Sequence, residues 1–207
     1  MNDERQSEIA AVLKIPSRFA GRYICLEPLT DLHRDELSIA ADDERIWQNT
    51  IVAAHGSRFD GWFEEIQRQI ATGRQLPFAV RSVNTGKIVG STSYLDPNPR
   101  HRRIEIGSTW YTPQCWGSKV NPECKLLLLT HAFETINVNR VAFCTDVLNA
   151  RSQAAIEKLG AVKEGIMHCH MIVQRGRVRD SVLYSIVSRD WPRLKLALEA
   201  RLSNDRP

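Results

Sequence analysis

The segment from residue 103 to residue 136 leaves this chain few folds to choose from. Arg103-Ile104-Glu105-Ile106-Gly107-Ser108-Thr109-Trp110-Tyr111 alternates and reads as a strand. From Lys125-Leu126-Leu127-Leu128-Leu129 through Ala132, Phe133 and Ile136, apolar residues recur at helical spacing. Between them Gln114-Cys115-Trp116-Gly117-Ser118-Lys119-Val120 forms a short loop, closed by Asn121 as N-cap and Pro122 at the first helical position. Such a loop aims unpaired backbone N–H groups and the positive end of a helix dipole at one spot. That suits an anion, phosphate foremost. A well-capped connection that binds nothing is the plain alternative, and neither G-x-G-x-x-G nor G-x-x-x-x-G-K-[ST] is present.

The flanking sequence supplies a mixed set of elements. Residues 23–28 read as a strand stopped by Pro28, and Thr30 caps a helix to about Ala41 with Leu32, Leu37 and Ile39 on its apolar side. Ser57 caps a second helix, whose Phe59, Trp62, Phe63, Ile66 and Ile70 share a face before Gly73 ends it. A hairpin pairs 76–82 with 88–94 around Asn84-Thr85-Gly86-Lys87. Residues 140–147 form a strand, 152–159 a helix closed by Gly160, and 161–173 and 178–187 two more strands. Asp190 caps a last helix with Leu194, Leu198 and Leu202 in line.

Strand 103–111, its helix and strand 140–147 make a crossover unit, so those two strands should be parallel neighbours in an otherwise antiparallel sheet. If they diverge, a cleft opens between them, and the anion loop faces it. The expected class is therefore α/β (α+β): a mixed, mostly antiparallel twisted sheet with a splayed central parallel pair, flanked by helices. An N-terminal arm over 1–20, a main domain over 21–190 and a C-terminal helix and tail over 191–207 complete the organisation.

Composition narrows the class further. With 207 residues and 43% hydrophobic content the chain can bury one good core. No apolar run is long enough to span a bilayer, and the opening Met1-Asn2-Asp3-Glu4-Arg5 lacks a signal peptide's apolar stretch. A cytoplasmic protein without membrane contact is the expectation. Cys25, Cys115, Cys124, Cys144 and Cys169 are odd in number and never in C-x-x-C spacing, as for reduced, mostly buried thiols. The net charge of +4 suits an anionic ligand without demanding nucleic acid. Arg100-His101-Arg102-Arg103 reads first as a solvated loop, with RNA or ribosome docking a minor alternative.

At this point the chain resembles a known family. The element order, the Gln114–Lys119 loop and the later Asn149-Ala150-Arg151-Ser152…Glu157-Lys158-Leu159-Gly160-Ala161…Glu164-Gly165 look like the GNAT acetyltransferases. The branch they resemble is that of the ribosomal-protein N-terminal acetyltransferases (RimJ/RimL-like), over about residues 20–190. The resemblance implies a splayed sheet that holds acetyl-CoA, with the loop Q/R-x-x-G-x-G/A on its pyrophosphate. Gln114 and Gly117 match that pattern, and Trp116, Ser118, Val120 and Asn121 fall within the same loop and helix start. Lys119 stands where Gly or Ala is usual, where its ammonium could pair with phosphate or crowd it. Asn149 resembles the family's CoA-contacting asparagine; a cap or turn residue is the structural alternative.

Acetyl transfer to an amine needs a base, a polarised thioester carbonyl and protonation of the departing thiolate. Glu105, alternating with Ile104 and Ile106, is the candidate base. A cross-strand ion pair with Arg102 or Arg103 is its structural alternative, and a bulge at Gly107 could re-aim it. Backbone N–H groups near Trp110, Tyr111 and Thr112 can polarise the carbonyl. Many relatives carry a Tyr as acid where this chain has Ile156, and Ser152 resembles the serine that takes its place; a Ser in a helix's first turn also suits capping. His168-Cys169-His170 would put two imidazoles on one strand face, but with no third ligand nearby no metal is expected. Trp47, Trp62 and Trp110 read as core, and the early helices wall the acceptor side in this family.

The expected partners are acetyl-CoA and an amine acceptor, whether protein N-terminus or small molecule, reacting by direct attack in a ternary complex; homodimer formation is left open. A non-catalytic acyl-CoA-binding sensor of the same fold is the alternative.

Overall fold

The computed structural model describes residue 15 and residues 17–203. The arm expected over 1–20 falls mostly outside them, although Phe19–Ala20 forms an edge strand, β1. The others are β2 (Ile24–Pro28), β3 (Gln75–Ser82), β4 (Ile88–Asn98), β5 (Arg103–Tyr111), β6 (Arg140–Asp146), β7 (Val162–Ile172) and β8 (Val178–Val187). They form one sheet in the order β1-β2-β3-β4-β5-β6-β8-β7. Every pairing is antiparallel except β5 with β6, so the expected mixed sheet with one central parallel pair is observed.

Helices α1 (Arg34–Ala41) and α2 (Phe59–Ala71) cover one face of the sheet. On the other lie α3 (Val120–Thr130), α4 (Ala150–Glu157) and α5 (Trp191–Ser203). Leu128, Leu129, Phe143, Tyr184, Ile186 and Leu198 form the dense centre of that second core. Among the described residues no helix is long and apolar enough to cross a membrane.

Several local expectations shift. Residues 31–33 start as a tight 3₁₀ turn, which resets the phase of α1. Leu37, Ala40 and Ala41 are buried, while Leu32 and Ile39 are 92% and 79% exposed. Ser57 lies inside a 3₁₀ turn, Gly56–Arg58, rather than capping α2. Helix α3 begins at Val120, ahead of Asn121, and runs on into a π-helical turn, His131–Thr135. Of the five free cysteines, Cys25 and Cys124 are buried, Cys115 and Cys144 half-buried and Cys169 exposed.

The entry to α3 is anchored by a carboxylate. Buried Glu123 accepts the N–H groups of Arg22 (2.8 Å), Tyr23 (2.7 Å) and Ile24 (2.8 Å). A charged acceptor with three backbone donors ties the first turn of α3 to β2. Gly21 leaves room for it, since a Cβ there would stand 2.6 Å from the carboxylate.

Candidate active site

Strands β5 and β6 pair through Arg103–Arg140, Ile104–Val141 and Glu105–Ala142, and no further. Beyond that point each keeps its outer neighbour: β5 stays on β4 to Tyr111, and β6 stays on β8 to Asp146. The sheet therefore splits between them. The loop after β5 forms one lip of the split and the turn into α4 the other. The Arg151 guanidinium of α4 sits 3.6 Å from the ring centroid of Trp116 in that loop, bridging the lips.

A bulge shapes the β5 side. Ser93 pairs with Gly107 and Ser91 with Trp110, so Thr92 opposes both Ser108 and Thr109. Ser108 takes φ +47° to allow it. The extra residue reverses the facing of the residues after it. Ile104, Ile106 and Tyr111 all enter the core under α3, and Trp110 enters the one under α2. Glu105 precedes the bulge and keeps its alternation; the re-aiming considered for it falls on Trp110 and Tyr111 instead.

Glu105 is half-buried and makes no hydrogen bond or ion pair among the described residues. The ion pair with Arg102 or Arg103 does not form, because Arg102 turns to the Asn137 carbonyl (2.8 and 2.6 Å). Burial, then the charge of Asp96, push the Glu105 carboxyl above its usual range, against the pull of Arg179 and Arg103. Cys144 lies on the same face, two residues past Ala142 on β6, and its thiol is raised by burial and then by Glu105.

In the loop, Gly117 holds φ +75° with open space where a Cβ would stand. The Ser118 hydroxyl donates to the Cys115 carbonyl (2.7 Å) and accepts the Val120 N–H (3.2 Å), the capping role expected of Asn121. Asn121 instead accepts from the Tyr111 hydroxyl at 3.2 Å. The N–H groups of Gly117 and Asn121 take no hydrogen bond among the described residues, which leaves an anion cradle at the lip. Gln114 is exposed beside it. Thr112 spends its N–H on the Val89 carbonyl (2.8 Å), so it is not a donor to the split. The Lys119 ammonium reaches the carbonyls of Arg201 (2.8 Å) and Leu202 (3.2 Å) at the end of α5, so the side chain neither crowds the cradle nor fills it.

On the other lip the cap of α4 is Asn149, whose Oδ1 accepts the Ser152 N–H at 3.0 Å. Ser152 therefore does not cap, and its hydroxyl makes no hydrogen bond among the described residues.

Two expectations about histidines and tryptophans resolve here. Along β7 the register slips between Met167 and Met171, and Cys169 takes φ +50°. His168 meets Asp180 (2.9 Å) and His170 meets Ser181 (3.0 Å), consecutive residues of β8 that face opposite ways. The imidazoles do not share a face. Trp47, Trp62 and Trp110 pack together, with Trp47 and Trp110 5.3 Å apart.

Several polar groups of the site carry no sequence signal that assigns them a role. Arg151, which bridges the lips, is one. Lys125 of α3 is buried with its Nζ 2.7 Å from Thr109 and 3.2 Å from Thr92, and burial lowers it to about 8. On the Glu105 face, fully buried Asp146 pairs with Arg177, and Arg179 Nε stands 4.0 Å from it without a hydrogen bond. A lone Lys in an apolar helix stretch is the one visible hint; the arginines lie in a turn and strand that show no motif.

Comparison with known proteins agrees with this geometry. A family model described as an acetyltransferase (GNAT) domain matches residues 24–162. The crystal structure of a GCN5-related N-acetyltransferase from Brucella melitensis superimposes with a TM-score of 0.84 at 30% identity, covering 91% of this chain and 86% of that one. The Mycobacterium smegmatis RimJ structure in complex with CoA-disulfide shares the fold at TM-score 0.71 and 21% identity, over 86% and 88% of the two chains. In Bacillus subtilis, YdaF, whose name assigns it provisionally to ribosomal N-acetylation, is 33% identical over 106 residues, 51% of this chain and 57% of its own length. From the matched family model and the split sheet together, the chain belongs to the acetyltransferase (GNAT) domain family.

Proposed function

We propose that the protein is an acetyl-CoA-dependent N-acetyltransferase that moves the acetyl group to a primary amine by direct attack. The observation that carries this reading is an unpaired, half-buried Glu105 at the last rung before β5 and β6 part. A carboxylate with a raised pKa in that place suits a general base working near neutral pH. The free N–H groups of Gly117 and Asn121 suit the pyrophosphate, with Arg151 adding positive charge at the lip. Acetyl-CoA, when bound, supplies the activated thioester.

The chain's own residues then do three things in this reading. The β5 edge beyond Glu105 offers the backbone N–H of Tyr111 to the carbonyl, while the N–H of Trp110, like that of Thr112, is turned to β4. Glu105 takes the amine proton, directly or through water. Ser152, with its hydroxyl uncommitted, donates to the departing sulfur. Holding donor and acceptor in one split is itself worth up to ~7–11 kcal/mol of barrier. Protein N-termini belong among the acceptors to be tried, given the name of YdaF.

The test is to incubate the protein with acetyl-CoA and a panel of amines, following thiol release and product mass. Amine acetylation matched by thiol release supports the reading. CoA binding without any acetylated amine would make the protein an acyl-CoA sensor instead.

A further inference from the structure

A cavity of about 410 Å³ lies between residues 44–58 and the turn 173–177, and two of its lining residues reach toward the split: Arg177 pairs with Asp146 of β6, and Trp47 packs on Trp110 of β5. Its size is that of a small-ligand site. Gln174 holds its two walls together, donating from Nε2 to the carbonyls of Trp47 (2.8 Å) and Thr50 (3.1 Å). Arg58, Arg175 and Arg177 line it against one carboxylate, Glu44. Arg177 is spoken for by Asp146, but neither the Arg58 nor the Arg175 side chain makes an ion pair or hydrogen bond among the described residues. Arg175 is held at φ +60°, a strained position for a residue with a side chain.

The positive charge continues inward. Arg179, 5% exposed, keeps its Nε without a hydrogen bond, and its charge acts on both Glu105 and Cys144. Across the split, the buried Trp110 Nε1 also lacks a partner, and Trp110 packs on Trp47 of the cavity wall. Buried donors left unpaired are rare in folded proteins and call for an acceptor. Four guanidinium groups, Arg58, Arg175, Arg177 and Arg179, stand against three carboxylates, Glu44, Asp146 and Glu105, a surplus of one positive charge.

We infer that the acceptor amine carries a carboxylate, which Arg58 and Arg175 bind in this cavity while the amine reaches toward Glu105. Guanidinium groups match carboxylates in a two-pronged geometry that amides and ammonium groups cannot use. A polycation such as a polyamine would meet like charge here. The inference rests on the acetyltransferase reading and narrows its acceptor.

The experiment measures binding rather than turnover, so the two ideas fail separately. Full-length protein saturated with CoA is titrated with N-acetylalanine, N-acetylaspartate and N-acetylglutamate, and with their fully amidated counterparts, by calorimetry and Trp fluorescence. The same titrations are run on Arg58→Gln/Arg175→Gln, whose changes lie on exposed side chains. At least one carboxylate is expected to bind about 10-fold or more tighter than its amide, and the double variant to lose that preference with CoA affinity unchanged. Equal or tighter binding of the amides, no carboxylate binding at millimolar concentration, or a preference that survives in the double variant would each overturn the inference. Failure to bind CoA would instead overturn the acetyltransferase reading.

Discussion

The Glu105 carboxylate lies over Gly107: a Cβ built on Gly107 would stand 3.3 Å from Glu105 Oε1. Both residues face the same side of β5, two positions apart, immediately before the bulge at Ser108. The missing side chain lets the carboxylate lean forward along the strand to where β5 leaves β6. Among the described residues that carboxylate makes no hydrogen bond or ion pair.

Replacing Glu105 with Gln is expected to lower turnover by on the order of 10²-fold or more, with acetyl-CoA affinity little changed. The pH profile carries a second signature. Because Glu105 must be ionised to accept a proton and its pKa is raised, kcat/KM should climb with pH through that raised value. The climb should vanish in Glu105→Gln. An unchanged rate and profile would leave Glu105 as a sheet residue.

Gly117→Val should weaken CoA binding by about 10-fold or more while the fold survives. Gly117 is exposed at φ +75°, a conformation a β-branched residue resists, so the loop that presents its N–H must distort. Titration of CoA into the folded variant checks this, and wild-type affinity would count against the cradle.

The two polar residues of the α4 entry should separate cleanly. Asn149→Ala removes the cap and is expected to cost about 0.5–2 kcal/mol of stability. Ser152→Ala breaks no hydrogen bond among the described residues and should leave the melting temperature nearly unchanged. If its hydroxyl serves the departing thiolate, turnover should fall about 10-fold in the folded variant. Measuring melting and turnover for both variants decides it; full activity in Ser152→Ala would strip Ser152 of a chemical role.

Lys125→Met should stabilise the protein at pH 7 and lose that advantage as pH rises. Burial lowers the ammonium from 10.5 to about 8, and its oxygen partners in the structure are two threonine hydroxyls that also bond each other at 2.7 Å. Between those values the unfolded chain binds more protons than the folded one, so this group's contribution to stability rises with pH. At ~1.4 kcal/mol per unit the whole window amounts to on the order of 3 kcal/mol. Urea unfolding of both proteins at pH 7 and pH 10 isolates it, since groups shared by the two cancel in the difference. A gap that does not narrow would mean the ammonium is solvated.

What was legible in the sequence was whatever periodicity and punctuation control. The bounds of β5, the parallel pairing with β6 and the α2 stripe from Phe59 to Ile70 needed no tertiary information. The bulge was read one residue early, at Gly107, because glycine is the residue that marks one in sequence, whereas the serine at positive φ that forms it is imposed by the pairing with β4. Capping went astray by a residue or more at α2 and α3, since which side chain reaches a free N–H depends on where the first turn starts, whereas Asn149, read as a cap in its structural alternative, does cap α4. Lys119 read as a possible phosphate partner, yet its destination lies 82 residues away on α5. The arginines around Asp146 come together only once β6 and β8 pair.

The most direct test of the account is the initial-velocity pattern of acetyl transfer with both substrates varied. Attack by the amine on bound acetyl-CoA requires a ternary complex, and the double-reciprocal lines should intersect. Cys144 is the nearest rival, a half-buried thiol on the Glu105 face, but its pKa is raised and the thiolate it would need is disfavoured. Intersecting lines, unchanged in pattern in Cys144→Ala, are the expected result. Parallel lines, with acetylated protein trapped in the absence of acceptor, would contradict direct attack and move the chemistry to a covalent intermediate.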